Sequence, residues 1–426
     1  MRNAENFKED FSMKKFLAML LALVMVLSLA ACGDKPSDST GDENPPVSDT
    51  TGTADIKIGL ICVHDVNSGY DVAHIDGLTA ACEALGIDVA SQVIFKYNIP
   101  EDETCADTAI DLAEEGCNVI ISNSYGHQMF TQEVASQYPD ITFIAATGDN
   151  AAPSELANLK NIFPYTYESR YVSGVVAGMK LKELLDAGKI TDPYVGYVGA
   201  YPYAEVVSGY TAFFLGIQSI VPEAHMDVTF TNSWYDPTAE GEAANALMSK
   251  GCVIIGQHAD STGAPSAVQA QFEAGKTVFS VGYNIDMLAV APDAALTSAQ
   301  NNWSVLYEYM LNAYLTGAEI PTDYACGVAE GAQKISALGP NCADGTQEAV
   351  DAAWSAIADG SLKVFDTSKF TVGGETVTTA FALDTDGDWV NDTAEAIVDG
   401  AFVESVHRSA PYFALRIDGI TELNNN

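Results

Sequence analysis

Aromatic side chains recur beside amides and carboxylates in one short segment after another. His64–Asp71 carries Asn67, Tyr70 and Asp71. Asn123–His127 carries Asn123 and Tyr125, and Tyr201–Glu205 carries Tyr203. Asn232–Asp236 holds Trp234, Gln257–Ser261 holds His258 and Asp260, and Gly282–Asp286 ends in Asp286. Trp303 completes the series. Ring faces stack on flat solutes, while carboxylates and amides exchange hydrogen bonds with ring N–H groups and ring nitrogens. These residue types suit a neutral heterocycle better than a phosphate or a metal ion. Any one of the aromatics could equally serve lobe packing or anchor a turn. Convergence on one place would make them a binding site.

Catalytic chemistry has little support. The chain lacks Gly-x-Ser-x-Gly, His-Glu-x-x-His, a P-loop and the dinucleotide glycine fingerprint. His258 and Asp260 could polarise a water, but residues two apart in a loop need not face each other. No enzyme activity is expected. Near the C-terminus, Asp384, Asp386, Asp388, Asp392 and Glu395 follow the spacing of a calcium-binding loop. Trp389 stands where that loop needs its turning glycine. A structural calcium ion and an acidic hairpin turn are both open; no other cofactor is expected.

The elements that must position these segments alternate. Ile56–Val63, Val89–Tyr97, Val119–Ser122 and Thr142–Ala146 read as buried strands, separated by segments of helical spacing that stop at Gly86, Gly116 and before Pro139. The pattern repeats with strands at Tyr194–Val198, Met226–Phe230, Val253–Ile255 and Thr277–Val281. Such alternation predicts parallel sheets with helices on both faces. Two similar halves predict two lobes with a cleft between them. Lobe 1 takes residues 55–165 plus about 282–315, lobe 2 takes 166–281 plus about 316–370, and 371–426 is a C-terminal extension. In open parallel sheets, ligands bind beyond the carboxyl ends of the strands, where the aromatic segments lie.

The N-terminus points to export. Met13-Lys14-Lys15 is basic, Phe16–Leu29 is apolar, and Leu29-Ala30-Ala31-Cys32 resembles a bacterial lipobox. The reading is a signal peptide over 1–31, starting at Met13, and lipidation of Cys32. Residues after it, to 54, offer almost nothing apolar and read as a disordered tether. The expected location is the extracytoplasmic face of the cell membrane, held by the lipid.

Lys and Arg number 19 against 58 Asp and Glu, a net charge of −39. Such a surface repels phosphate backbones, so no nucleic acid is expected as a partner. It also keeps copies apart, in keeping with a monomer. Besides Cys32 there are seven cysteines, an odd count. Cys326 and Cys342, flanking a glycine-rich stretch, are the best candidates for a disulfide. Cys62, Cys82, Cys117 and Cys252 read as small buried hydrophobes.

Laid out in order, these segments resemble the basic membrane protein family, the substrate-binding lipoproteins of ABC importers. The resemblance spans roughly 55–370. Its pieces are Gly69–Gly77, Trp234–Pro237, Gln257–Ser261, Val281–Met287, Leu296–Ser298 and Trp303. It implies a two-lobe, type I periplasmic-binding-protein-like α/β fold and a receptor that hands a purine base or nucleoside to a membrane permease. By position, Tyr70 would stack on the ring, Asn123 and Tyr125 would face it, and Asp260 and Asp286 would reach ligand N–H or hydroxyl groups. Ala73-His74-Ile75-Asp76-Gly77 and Gln257–Ser261 resemble the purine-base branch. Nucleoside-binding members carry a lysine shortly after Leu-Thr-Ser, whereas Ala299–Trp303 has none. Asn67 also replaces an aspartate of that branch. Both departures favour a free base or a smaller ring. A sugar or signalling-molecule receptor on the same scaffold, or a sensory binding module, is the alternative.

Overall fold

The computed structural model describes residues 55–384 and 390–424. The expected signal peptide, Cys32, the tether, Asp386 and Asp388 lie outside the described residues.

Apolar runs become strands buried on both faces, as parallel sheets covered by helices require. In the first lobe these are β1 (Ile58–Ile61), β2 (Val93–Lys96), β3 (Val119–Ser122), β4 (Thr142–Ala146) and β5 (Leu159–Pro164). Helices α1 (Gly69–Leu85), α2 (Glu103–Glu114) and α3 (Gln128–Gln137) connect them. Ser68 caps α1 by accepting the amide of Asp71, and Gly86 ends it at φ 73°. The run Val89–Tyr97 begins with a helical turn instead of a strand, because Asp88 accepts the amide of Ala90 and caps it.

The second lobe opens with α4 (Thr166–Asp186) and continues through β6 (Tyr194–Gly199), α5 (Ala204–Gln218), β7 (His225–Phe230), α6 (Pro237–Lys250) and β8 (Ile254–Gln257). It goes on through α7 (Gly263–Glu273), β9 (Phe279–Tyr283) and β10 (Ala295–Asn301). Then α8 (Trp303–Thr316) and β11 (Asp323–Cys326) return to the first lobe, and β12 (Gln333–Ile335) and α9 (Thr346–Ala358) belong to the second. The first sheet runs β11-β5-β4-β3-β1-β2, all parallel. The C-terminal stretch adds two small hairpins, β13 (Phe381–Leu383) with β14 (Thr393–Glu395) and β15 (Ile397–Val398) with β16 (Ala401–Phe402), then β17 (Ile420–Glu422). The second sheet runs β12-β10-β9-β8-β6-β7-β17, parallel except for β12.

Three passages carry the chain between the sheets: β5 to α4, β10 to α8, and β11 to β12. The return expected near residue 282 falls after Asn301, because β10 pairs with β9, Ser298 opposite Gly282. Asn301 knits the passages together. Its Oδ1 accepts from Thr166 Oγ1 at 3.0 Å and from Gln333 Nε2 at 2.8 Å. The described residues form one body, with a separate core in each lobe. In the second lobe α4 and α5 touch backbone to backbone: a Cβ on Gly174 would strike the carbonyl of Phe213, and one on Gly216 that of Tyr171.

The described part of 371–426 is no detached extension. Phe402, Tyr412, Phe413 and Ile417 join the second lobe's core, and β17 extends its sheet beside β7. The Cys326–Cys342 bridge expected from spacing is not formed. Cys326 sits in the first lobe's core, whereas Cys342 bonds the carbonyl of Leu296 in the second, and all seven described cysteines are free thiols. No helix among the described residues is long and apolar enough to cross a membrane.

Candidate ligand-binding cleft

Strand ends of both lobes meet at one cavity. From the first lobe come Val63 after β1, Tyr70 in the first turn of α1, Ser124 and Tyr125 after β3, and Thr147 after β4. From the second come Glu205 after β6, Trp234 after β7, His258 and Asp260 after β8, and Tyr283 at the end of β9. Its volume is about 20 Å³, room for one water molecule. The walls touch across the gap: Tyr125 and Tyr203 have ring centroids 6.3 Å apart, and His64 and Tyr235 5.3 Å apart.

Tyr70 is held from behind. Its hydroxyl donates to the carbonyl of Asn123. Asn123 is buried, donating through Nδ2 to Asp71 Oδ1 at 2.8 Å and accepting the amide of Val63 at 3.1 Å. Burial would raise the Asp71 carboxyl, but hydrogen bonds from His64, Asn123 and Ser68 outweigh it and hold the group below its ordinary range. Asn123 and Asp71 therefore support the wall and do not line it.

The second lobe supplies the polar face. His258 Nε2 lies 3.2 Å from Glu205 Oε1. Burial, then the charge of Arg170, lowers His258 to about 4, so the imidazole is neutral and Nε2 carries the proton. Arg170 is itself buried, donates to the carbonyl of Gln257 at 2.6 Å, and lies 3.6 Å over the ring of Tyr283. Asp260 accepts from Asn284 Nδ2 at 2.8 Å, and its amide donates to the carbonyl of Trp234 at 2.8 Å. Burial, then Glu240, Glu205 and Asp71, pushes the Asp260 carboxyl well above the usual range. A carboxyl kept neutral in this way can donate a hydrogen bond as well as accept one.

Of the sequence candidates, Tyr70, Tyr125, Trp234, His258 and Asp260 line the cavity. Tyr203 stands at its mouth, stacked on Tyr201 at 5.1 Å and nearly half exposed. Asn67 and Asp286 are exposed and occupied locally: Asn67 bonds Asp65, and Asp286 accepts the amide of Leu288 in a short turn. Trp303 is buried in the first lobe's core, 4.0 Å from the ring of His74, because α8 packs closely on Gly77 of α1. Glu205, Thr147, Ser124, Val63 and Tyr283 were not among the candidates. Ser124, Glu205 and Tyr283 did lie in the strand-end segments. Thr147 directly follows the expected strand Thr142–Ala146 but has neither ring nor charge to mark it; it is a β-branched residue at φ 68°, a strained conformation that recurs at functional positions. In the acidic stretch, Glu395 accepts the amides of Ala380 and Ile397 at 3.0 and 2.9 Å. Among the described residues no group of three or more His, Cys, Asp or Glu is placed to hold a metal ion.

Comparison with known proteins agrees with this geometry. Residues 57–363 match the family described as ABC transporter substrate-binding protein, PnrA-like. A purine-binding protein of Brucella abortus (strain 2308) is 32% identical over 311 residues, 73% of this chain and 83% of that one. A putative ABC transporter glucose-binding protein of Haloferax volcanii is 32% identical over 258 residues, 61% of each chain. Among solved structures, a solute-binding protein of Aeropyrum pernix superposes with a TM-score of 0.60 at 17% identity, covering 73% of this chain and 93% of that one. One from Conexibacter woesei gives 0.58 at 20% identity, covering 72% and 98%. These likenesses establish the two-lobe, type I periplasmic-binding fold. With a matched stretch that takes in both lobes and every cavity-lining residue, the chain belongs to the family of PnrA-like ABC transporter substrate-binding proteins.

Proposed function

We propose that the chain captures a purine base, or a nucleoside, in this cleft and delivers it to an ABC permease. The observation that supports it most is the pairing of functions around one slot. Glu205, which accepts from His258, and the raised carboxyl of Asp260 face the rings of Tyr70, Tyr125, Trp234 and Tyr283. A purine offers two flat faces and an edge on which donors and acceptors alternate. Stacking residues with one acceptor and one donor on the same side match that edge. Among the described residues no lysine or arginine lines the cavity, which favours a base over a phosphorylated or strongly anionic solute. The name of the Brucella relative points the same way.

A cavity of about 20 Å³ cannot hold a purine, so the ring enters an open form and the lobes close on it about the three passages. With the ring between them the lobes rest farther apart than they do here, and that liganded closed form is the one a permease would recognise. Leu29–Cys32 supports acylation at Cys32 and anchorage on the outer face of the membrane. Cys32→Ser should move the protein from the membrane fraction to the soluble one.

A sugar is the second reading, favoured by the Haloferax relative's name and by the ability of the same aromatic and carboxyl groups to hold hydroxyls. Isothermal titration decides between them. The full chain, stripped of co-purified solute by unfolding and refolding, is titrated with adenine, hypoxanthine, adenosine and glucose. Saturable binding of a purine and none of glucose is the expected result. Binding of glucose alone would transfer the site to sugars, and binding of none of the four would remove the assignment.

A further inference from the structure

The family match stops at residue 363, yet the chain beyond it is built into the molecule. It is anchored in the second lobe. Phe365, on which Phe413 stacks at 4.3 Å, meets Tyr167 of α4 at 5.3 Å. Glu422 Oε1 accepts from Tyr210 at 2.6 Å and from Arg416 Nε at 3.1 Å. Asn424 exchanges two hydrogen bonds with the backbone of Phe230 at 2.9 and 2.8 Å.

From that anchorage two consecutive residues reach the other lobe. Arg408 Nη1 lies 3.3 Å from Asp149 Oδ2, just past β4. The amide and hydroxyl of Ser409 both donate to Asp323 Oδ1, at 2.9 and 2.8 Å, on β11. Arg408 is braced by the carbonyls of Ala410 and Pro411 at 3.4 and 3.3 Å, so its reach is fixed from its own segment. The contact continues into the cleft. Asp149 Oδ2 also accepts from the hydroxyl of Tyr125 at 3.3 Å, and Tyr125 is a cavity wall. Arg416 Nη2 donates to the carbonyl of Pro202 at 3.3 Å, in the loop that carries Tyr203 at the mouth.

We propose that the described residues of the stretch after 363 tie the two lobes in the closed form through Arg408 and Ser409, and that Arg408, acting through Asp149, is a positioning residue for Tyr125. The three chain passages act as a hinge, and a hinge leaves opening free. A contact made by one lobe on the other, apart from those passages, biases the equilibrium toward closure, while the hydrogen bond from Tyr125 to the Asp149 carboxylate that Arg408 holds fixes a wall of the cavity on which affinity depends. The second half of the proposal rests on the cleft being the ligand site proposed above; the first half does not.

Hydrogen–deuterium exchange on the full chain without solute tests the tie, and titration with adenine, hypoxanthine and adenosine tests its effect on binding. For Arg408→Ala, faster exchange in peptides covering 123–127 and 147–150 is expected, with 210–217 unchanged. Purine affinity should fall about three- to tenfold, the range for one partly exposed ion pair with its attached hydrogen bond. Arg408→Lys, which keeps the positive charge on Asp149 and leaves its carboxylate to accept from Tyr125, should retain most of both. If Arg408→Ala also exposes Phe402–Phe413, the whole segment has detached, and the milder Arg408→Gln is measured in its place. Unchanged exchange at 123–127 and 147–150 overturns the tie. If no purine binds the parent chain, the proposed ligand falls while the exchange result still decides the tie.

Discussion

His258 donates through Nε2 to Oε1 of Glu205, 3.2 Å away, between the ends of the neighbouring strands β6 and β8. The imidazole is 1% exposed and neutral, held so by burial and by the guanidinium of Arg170 behind it. With its proton on Nε2, Nδ1 is an acceptor that finds no partner in the fold. His258 therefore has one task visible here, which is to fix the carboxylate of Glu205 in the cavity. Glu205→Gln keeps the shape and weakens the acceptor. Purine affinity should fall about tenfold, near the net value of one charge-assisted hydrogen bond. The melting temperature without solute should change by no more than a degree or two. Calorimetric titration beside a thermal scan checks both, and undiminished affinity would take Glu205 out of the site.

Asp260 separates a donor from a charge. Its carboxyl is pushed well above the ordinary range, chiefly by burial, and its Oδ1 is engaged by Asn284. Asp260→Asn preserves an acceptor toward Asn284 and a donor toward the cavity, so purine affinity should stay within about threefold of the parent. Asp260→Ala removes both and should abolish ligand-induced stabilisation while the chain still folds. A purine at a hundred times its Kd stabilises by about 2.7 kcal/mol, a shift readily seen in a thermal scan. Asn binding as weakly as Ala would mean that Asp260 works as an anion.

Much of this was legible before any coordinates, for a geometric reason. Parallel strands alternating with helices put their carboxyl ends on one side, so the segments after β1, β3, β6, β7, β8 and β9 had to share a neighbourhood. Which side chains in each segment face the cavity was not legible. Asn123 and Asp71 look like ligand groups by type, yet each is consumed by holding Tyr70 and Val63 in place. Asp286 and Asn67 serve turns, a use that short polar residues share with binding. Trp303 sits within a stretch that matches the family, but the contact of α8 with Gly77 draws it into the core. Strands β5, β11 and β17 went unread because Leu159–Pro164, Asp323–Cys326 and Ile420–Glu422 lack a continuous apolar run. Their strand identity comes from the neighbour they pair with.

The contact of α4 with α5 gives a test of the fold that is separate from the site. Gly174 and Gly216 let two backbones meet where any Cβ would overlap a carbonyl. Helical glycine replaced by alanine ordinarily stabilises by up to about 1 kcal/mol. Here Gly174→Ala should instead destabilise by roughly 2–4 kcal/mol, because backbone cannot yield as a side chain can. Half-buried Gly241 in the same lobe, whose Cβ would meet nothing closer than 3.4 Å, is the control and should tolerate alanine. Urea unfolding of both variants measures the difference; equal midpoints would mean that the helices can part without cost.

Stability should decline between pH 6.5 and 8, with Glu404 accounting for a large part beside the raised carboxyl of Asp260. Its side chain is buried under the C-terminal segment, where burial raises the carboxyl to about 8, offset in part by hydrogen bonds from Phe413, Ser208 and Tyr412. Glu168 and Glu240 are raised to about 7, again chiefly by burial. In the unfolded chain all three lose their protons near pH 4.5. Above that pH the folded form holds more protons than the unfolded one, so raising the pH favours unfolding until each folded value is passed. The buried histidines act oppositely but lower down. His258 at about 4 and His74 at about 3 favour folding as pH rises toward 6.5, and beyond that they are neutral in both states. Between pH 6.5 and 8 the raised carboxyls set most of the slope, and above that the buried thiols, pushed up by burial, add to it in the same sense. Glu404→Gln should stabilise by roughly 3–5 kcal/mol at pH 8.5, at about 1.4 kcal/mol per unit, and by almost nothing at pH 4. Urea midpoints of parent and variant across pH 4–9 check the sign. A parent curve that rises through pH 6.5–8, or one that Glu404→Gln leaves unaltered, would show that the carboxyl is ionised in the folded chain at neutral pH.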